Sequence, residues 1–278
     1  MSQASDVEKG AGARAAAGRG DGTTPALEAD GLTLSWDGGS PVVRDISLCV
    51  GEGEVACLVG RSGCGKTTIL HALAGLTTPD EGRVILHGQD VTGRPGKISY
   101  MLQKDLLLPN LRIIDNVCLP LVIAGVPRDE ARKKAEPLFE RFGLSGTEKS
   151  WPAELSGGMR QRAAFMRTYL MGTDVTLLDE PFSALDAITR AQMRTWFCDM
   201  ARELGMSALV ITHDVDEAVS MASVIYVLAG NPSAGEPSRL AGTVAPDRGS
   251  MSGVAGEQDF ALTPEFLAAK RRVIELLG

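Results

Sequence analysis

The residues best suited to chemistry are Gly60-Arg61-Ser62-Gly63-Cys64-Gly65-Lys66-Thr67, which follow the apolar run Val55-Ala56-Cys57-Leu58-Val59 and lead into Thr68-Ile69-Leu70-His71-Ala72-Leu73-Ala74. Strand, glycine-rich loop and helix, in that order, are what a phosphate-binding loop requires. Glycines let the backbone curl so that successive N–H groups face one anion, and the helix start adds the positive end of its dipole. In that setting Lys66 reaches the outer phosphates of a nucleoside triphosphate and the Thr67 hydroxyl holds Mg2+.

Two further segments extend this chemistry. Val175-Thr176-Leu177-Leu178-Asp179-Glu180-Pro181 is an apolar strand ending in two carboxylates. Asp179 is suited to a water bound to Mg2+, and Glu180 to orienting or deprotonating an attacking water. Leu155-Ser156-Gly157-Gly158-Met159-Arg160-Gln161-Arg162 reads as a serine N-cap with unhindered backbone at a helix start, a second place for an anion.

The elements that position these groups follow from the hydrophobic pattern. Leu32-Thr33-Leu34-Ser35-Trp36 and Ile46-Ser47-Leu48-Cys49-Val50 alternate around a Gly-Gly-Ser-Pro turn and predict a small antiparallel sheet. Short strands are expected at Val84-Ile85-Leu86 and Ile98-Ser99-Tyr100-Met101. Asp129 to Phe142 carries Ala131, Ala135, Leu138 and Phe139 at helical spacing, so the interval around 104–170 reads as a mainly helical insertion. Three runs apolar on both faces (Val175 to Leu178, Ala208 to Ile211, Val224 to Leu228) predict a buried parallel sheet. The expected organisation is a disordered tail over 1–26, a nucleotide-binding domain over 27–230, a flexible loop or linker over 231–258 and a C-terminal helix over 259–278. That helix has Thr263 as N-cap and Pro264 at N1, with Phe266, Leu267, Val273, Ile274 and Leu277 on one face.

Bulk properties narrow the function. A chain of 278 residues with 44% hydrophobic residues can bury a large core, and a formal charge of −7 argues against an extended nucleic-acid surface. The five cysteines are scattered and read as reduced thiols, with Cys64 inside the loop. The longest apolar stretch, Val117 to Val126, is too short to cross a bilayer and contains Pro120 and Gly125. Any membrane role is therefore expected to come through a partner.

Together the three segments resemble the nucleotide-binding subunit of an ATP-binding cassette (ABC) transporter: an α/β P-loop NTPase with a RecA-like parallel-sheet core, an N-terminal antiparallel β subdomain and a helical subdomain. Gly60 to Thr67 is similar to Walker A, Leu177 to Glu180 to the end of Walker B, and Leu155 to Gly158 to the signature. Gln103 is similar to the Q-loop glutamine, Ser183-Ala184-Leu185-Asp186 to the D-loop and His213 to the switch histidine. The resemblance implies ATP and Mg2+ as ligands. It implies Thr67, Gln103 and Asp179 around the metal, and Lys66, Gln103, Glu180 and His213 as the catalytic set. Trp36 would stack on the base, and Asp186 would lie at a dimer seam.

By the same resemblance two copies pair head to tail, so that Ser156, Gly157 and Gly158 of one cover the nucleotide of the other. Separate transmembrane permease subunits and, indirectly, a solute-binding protein are then implied, with the cassette peripheral on the cytoplasmic face. The segments around Gln103 and Asp179 resemble the nitrate, sulfonate and taurine importer group, with thiamine-precursor importers similar. Asn110 stands where that group commonly has Trp. Leu106, Leu107, Leu108 and Pro109 are the expected permease-docking segment or else core. A soluble ABC ATPase of the cluster-assembly type is the alternative reading.

Overall fold

The computed structural model describes residues 24–36, 39–248 and 260–278. The strands are β1 Leu27–Ser35, β2 Pro41–Val50, β3 Val55–Gly60, β4 Glu81–Leu86, β5 Gln89–Asp90, β6 Ser99–Met101, β7 Val175–Asp179, β8 Ser207–Thr212, β9 Val224–Asn231 and β10 Glu236–Val244. The helices are α1 Lys66–Leu73, α2 Ile113–Val117, α3 Leu119–Ile123, α4 Arg128–Arg141, α5 Gly157–Tyr169, α6 Ala187–Leu204, α7 Val215–Met221 and α8 Pro264–Leu277.

Among the described residues the ten strands form one curled mixed sheet in the order β5-β4-β1-β2-β10-β9-β3-β8-β7-β6. The segment β9-β3-β8-β7-β6 is parallel, and β5-β4-β1-β2 is antiparallel, with Leu32 opposite Ile46. The parallel strands are buried on both faces because their alternate residues feed two separate cores. Cys57, Val59, Leu178, Val210, Ile225 and Val227 face the helices α2 and α4–α8. Ala56, Leu58, Leu177, Leu209, Ile211 and Tyr226 face α1 and the antiparallel strands. A strand with both faces buried reads as a continuous apolar run, which is what these sequences show. The Tyr226 hydroxyl donates to the Cys49 carbonyl at 2.8 Å, tying the parallel part to β2.

Three expectations need correction. The interval 231–258 is not simply a loop: residues 236–244 form β10, antiparallel to β9 and touching β2 at Ser238–Val43, so this strand joins the two halves of the sheet. Its small residues mark close packing. A Cβ on Gly230 would lie 2.4 Å from the Ser238 backbone, and one on Gly242 would lie 3.0 Å from the Leu276 side chain. Residues 249–258 lie outside the described residues, as does 1–23 of the expected tail. At the end of that tail, Ala26 is fully buried and its carbonyl accepts from the His87 N–H.

The third correction concerns α8. Thr263 caps it as expected, accepting from the Phe266 N–H at 3.2 Å, but the buried stripe is Phe266, Ala269 and Val273. Leu267 and Ile274 are half exposed, because each lies one residue, about 100°, round from the stripe's axis. Among the described residues no helix is long and apolar enough to cross a membrane.

Candidate functional site

The phosphate loop leaves β3 at Gly60, where no side chain fits: a Cβ there would stand 2.7 Å from Cys64 Sγ and 2.9 Å from the Leu228 carbonyl. Gly65 ends the loop with φ 97°, a left-handed conformation in which a Cβ would meet Val43 Cγ1 at 2.6 Å. Between these points Arg61, Ser62 and Gly63 are exposed and Cys64 is turned inward. Lys66 is buried, and its ammonium donates to the carbonyls of Gly60 at 2.8 Å and Arg61 at 3.0 Å, bracing the loop from inside. Burial raises the Cys64 thiol pKa despite the adjacent Lys66 charge, so the thiol is poorly placed for oxidation or alkylation. Thr67 is exposed, and Thr68 is half buried on the first turn of α1.

Parallel pairing brings the carboxylates to this loop. β7 and β8 align Asp179 with Ile211, and the strand ends deliver Asp179, Glu180 and His213 to the carboxyl edge of the sheet. Asp179 is buried, and its Oδ2 accepts from Thr67 Oγ1 at 3.1 Å and from the Tyr100 hydroxyl at 3.2 Å. Burial lifts its carboxyl above the ordinary aspartate range, against the pull of those two hydrogen bonds. The Thr67 hydroxyl and Asp179 carboxylate are adjacent hard oxygen donors, the type that suits Mg2+.

Glu180 leaves the strand with φ 44°, an uncommon conformation for a side-chain-bearing residue and one costing about 1–3 kcal/mol. Surrounding bonds hold it there: its N–H donates to the Ile211 carbonyl at 2.9 Å, and its own carbonyl accepts from Ser183 Oγ at 2.9 Å. The side chain is thereby aimed between two partners. Oε1 lies 3.1 Å from His213 Nδ1, and Oε2 accepts from Gln103 Nε2 at 3.3 Å. Gln103 also donates to Ser183 Oγ at 3.2 Å, so its amide oxygen is the atom left to meet a cation.

The remaining expected residues lie elsewhere. Ser156 is exposed at the start of α5, where its Oγ accepts from the Met159 N–H at 3.3 Å. Gly157 and Gly158 bring α5 close to the start of α6: a Cβ on Gly157 would lie 3.4 Å from Leu185 Cδ2, and one on Gly158 3.2 Å from Thr189 Cγ2. Asp186 is the N-cap of α6, accepting from the Ile188 and Thr189 N–H groups at 3.1 and 3.0 Å. The signature and the D-loop-like segment are thus one packed unit. Trp36 is 60% exposed at the end of β1, in the turn that leads to the two valines packed against Gly65. Tyr100 and Ser183 are site residues that the sequence does not single out: Tyr100 reaches the Asp179 carboxylate, and Ser183 ties the Glu180 backbone carbonyl to the Gln103 amide.

Comparison with known proteins bears on this arrangement. The ABC transporter family profile matches residues 43–183. The formylaminopyrimidine import ATP-binding protein ThiZ of Halalkalibacterium halodurans is 41% identical over 201 residues, covering 72% of this chain and 78% of that protein. The taurine import ATP-binding protein TauB of Pseudomonas aeruginosa is 40% identical over 210 residues, covering 74% and 80%. Among solved structures, a dimeric post-hydrolysis state of the ATP-binding cassette MJ0796 bound to ADP and Pi aligns with TM-score 0.62 at 27% identity, covering 72% of this chain and 93% of that one. The fold is also that of cbiO1 from Clostridium perfringens, part of the cbiONQ complex, with TM-score 0.68 at 23% identity over 74% and 85% of the two chains. With half its length matched by the profile and relatives near 40% identity across most of both chains, this protein belongs to the ABC transporter family.

Proposed function

We propose that this chain is the ATP-binding and ATP-hydrolysing subunit of a bacterial-type importer, working as a head-to-tail pair beneath separate permease subunits on the cytoplasmic face of the membrane. The observation that carries the reading is the continuous set of contacts Thr67–Asp179 and Gln103–Glu180–His213 at one edge of the sheet. The import roles named for ThiZ and TauB support a small solute of the sulfonate, taurine, nitrate or thiamine-precursor class. They favour a transporter over a cluster-assembly ATPase.

In this reading the loop from Gly60 to Thr68 binds the phosphates through its backbone N–H groups and Lys66, and Trp36 offers its indole face to the base. Thr67, Asp179 and Gln103 would hold Mg2+, which would neutralise charge on the phosphates. Glu180 accepts the proton of the attacking water or orients that water in line. His213 holds the Glu180 carboxylate through Nδ1 and presents Nε2 to the γ-phosphate. Ser156 and Gly158 of the second copy close over the nucleotide, which requires the exposure that Ser156 has.

The permease contact falls next to Gln103. Leu102, Leu106 and Leu108 are exposed there, and Leu107 is core, so the segment splits between the two expected roles. Arg160 and Arg167 of α5 hold it through Asp105 at 3.3 Å and the Leu106 carbonyl at 2.8 Å, which links the docking segment to the signature helix. The test is capture of the tagged chain from solubilised membranes. Recovery with an integral membrane protein, lost when Leu106 and Leu108 are both changed to Ser, is the expected result; recovery with soluble partners alone would overturn the importer reading.

A further inference from the structure

We infer that Tyr100 is a positioning residue for the metal-serving carboxylate, which rests on the reading of Asp179 given above. β6 pairs parallel with β7 so that Tyr100 lies opposite Leu177, and Asp179, two residues further on, projects to the same face. The phenol reaches along that face to Asp179 Oδ2 at 3.2 Å. Its ring is held in turn by His71 of α1, edge-on, with centroids 5.9 Å apart and planes at 78°.

Two hydroxyls from two different elements therefore converge on one oxygen of a buried carboxylate: Thr67 from α1 at 3.1 Å and Tyr100 from β6. A buried carboxylate needs donors to hold its orientation, and a bond to an ionised acceptor is among the stronger ones. Thr67 is itself assigned to the metal, so it cannot fix Asp179 independently of the ligand. Tyr100 can, because it comes from the neighbouring strand. It keeps Oδ2 engaged whether or not Thr67 is turned to the metal. Packing alone would be met by Phe, so the hydroxyl is the part of Tyr100 that serves the site.

The experiment measures affinity for the non-hydrolysable analogue AMP-PNP by calorimetry, in EDTA and in excess Mg2+, for the wild type, Tyr100→Phe and Asp179→Asn. The metal-dependent gain in affinity is the readout. Y100F is expected to keep the EDTA affinity while losing about tenfold of the Mg2+-dependent gain, the usual cost of removing a partner of a metal ligand. D179N is expected to lose nearly all of that gain. If Y100F keeps the full gain and D179N does not, the role of Tyr100 is overturned and that of Asp179 stands. A Y100F protein weakened equally with and without metal, with a lowered Tm, has lost packing only and also overturns the proposal. If D179N keeps the gain, the reading of Asp179 itself fails.

Discussion

His213 Nδ1 lies 3.1 Å from Glu180 Oε1, so the histidine at the end of β8 and the carboxylate at the end of β7 are in direct contact. Gln103 holds the other oxygen, and the carboxylate is fixed from two sides. Such a group is arranged to accept a proton from water along one direction. Glu180→Gln keeps the size and can keep both contacts with its amide rearranged, but it removes the base. Phosphate release should fall by about 10²–10⁴-fold while ATP binding persists. Gel filtration with ATP should show the variant as a dimer, and continued turnover would assign the base elsewhere.

Ser156 separates a structural role from a functional one. Its Oγ caps α5 at a long 3.3 Å, so Ser156→Ala should cost only about 0.5–1 kcal/mol in urea unfolding. Loss of ATP-induced dimerisation and of hydrolysis should far exceed what that small destabilisation explains. Mixing S156A with a Lys66→Ala chain gives a sharper readout. Each mixed dimer retains one composite site, and partial activity should return. No recovery would mean that both defects act within one chain.

The sites most legible in the sequence are those where local covalent geometry leaves little choice. The loop from Gly60 to Thr67 announces itself because the backbone turn needs positive φ at Gly63 and Gly65, and glycines at that spacing before Lys-Thr have few other uses. Asp179 and Glu180 are readable because an acidic pair at a strand end, ordinary by itself, occurs in the same chain as an intact phosphate loop. Tyr100 was not readable in this way, since its contact depends on the register of β6 against β7 and on nothing nearby in the chain. β10 was hidden for the opposite reason. Gly235, Pro237, Ser238 and Gly242 have loop composition, but tertiary packing against Leu276 and the neighbouring strand selects small residues there and overrides propensity. The expected α8 face holds Phe266 and Val273 but is too wide, since a helical wheel cannot choose within the apolar pairs Phe266-Leu267 and Val273-Ile274, and it leaves out the small Ala269.

Gly65 and Gly63 offer a matched comparison within the loop. Both have positive φ, 97° and 79°, but a Cβ on Gly65 would lie 2.6 Å from Val43 Cγ1, and one on Gly63 would meet nothing within 4 Å. Gly63→Ala should therefore cost about 1–2 kcal/mol from backbone strain alone. Gly65→Ala should cost about 1–3 kcal/mol more through overpacking and should also abolish ATP binding. Adding Val43→Ala to G65A should recover the packing part and leave the strain. Equal costs for the two single variants would show that the valines move aside freely.

Glu217 gives the pH dependence its sign. Its carboxylate is buried under the switch segment, accepting from Thr212 Oγ1 at 2.6 Å with Arg190 Nε 3.8 Å away. Burial raises its pKa above the ordinary glutamate value, with the Thr212 bond opposing and Asp214 reinforcing the shift. The folded protein then holds this proton more tightly than the unfolded chain does. The group's contribution to stability is complete below the unfolded-state pKa and declines as pH rises through the higher folded-state value. Glu217→Gln removes the titration and keeps an oxygen for Thr212. The stability of E217Q relative to the wild type, from urea unfolding at a series of pH values, should therefore climb with pH across that window and level off above it. A flat difference would mean that the carboxylate titrates as if it were in water. A falling one would mean that Arg190 and Arg194 outweigh burial.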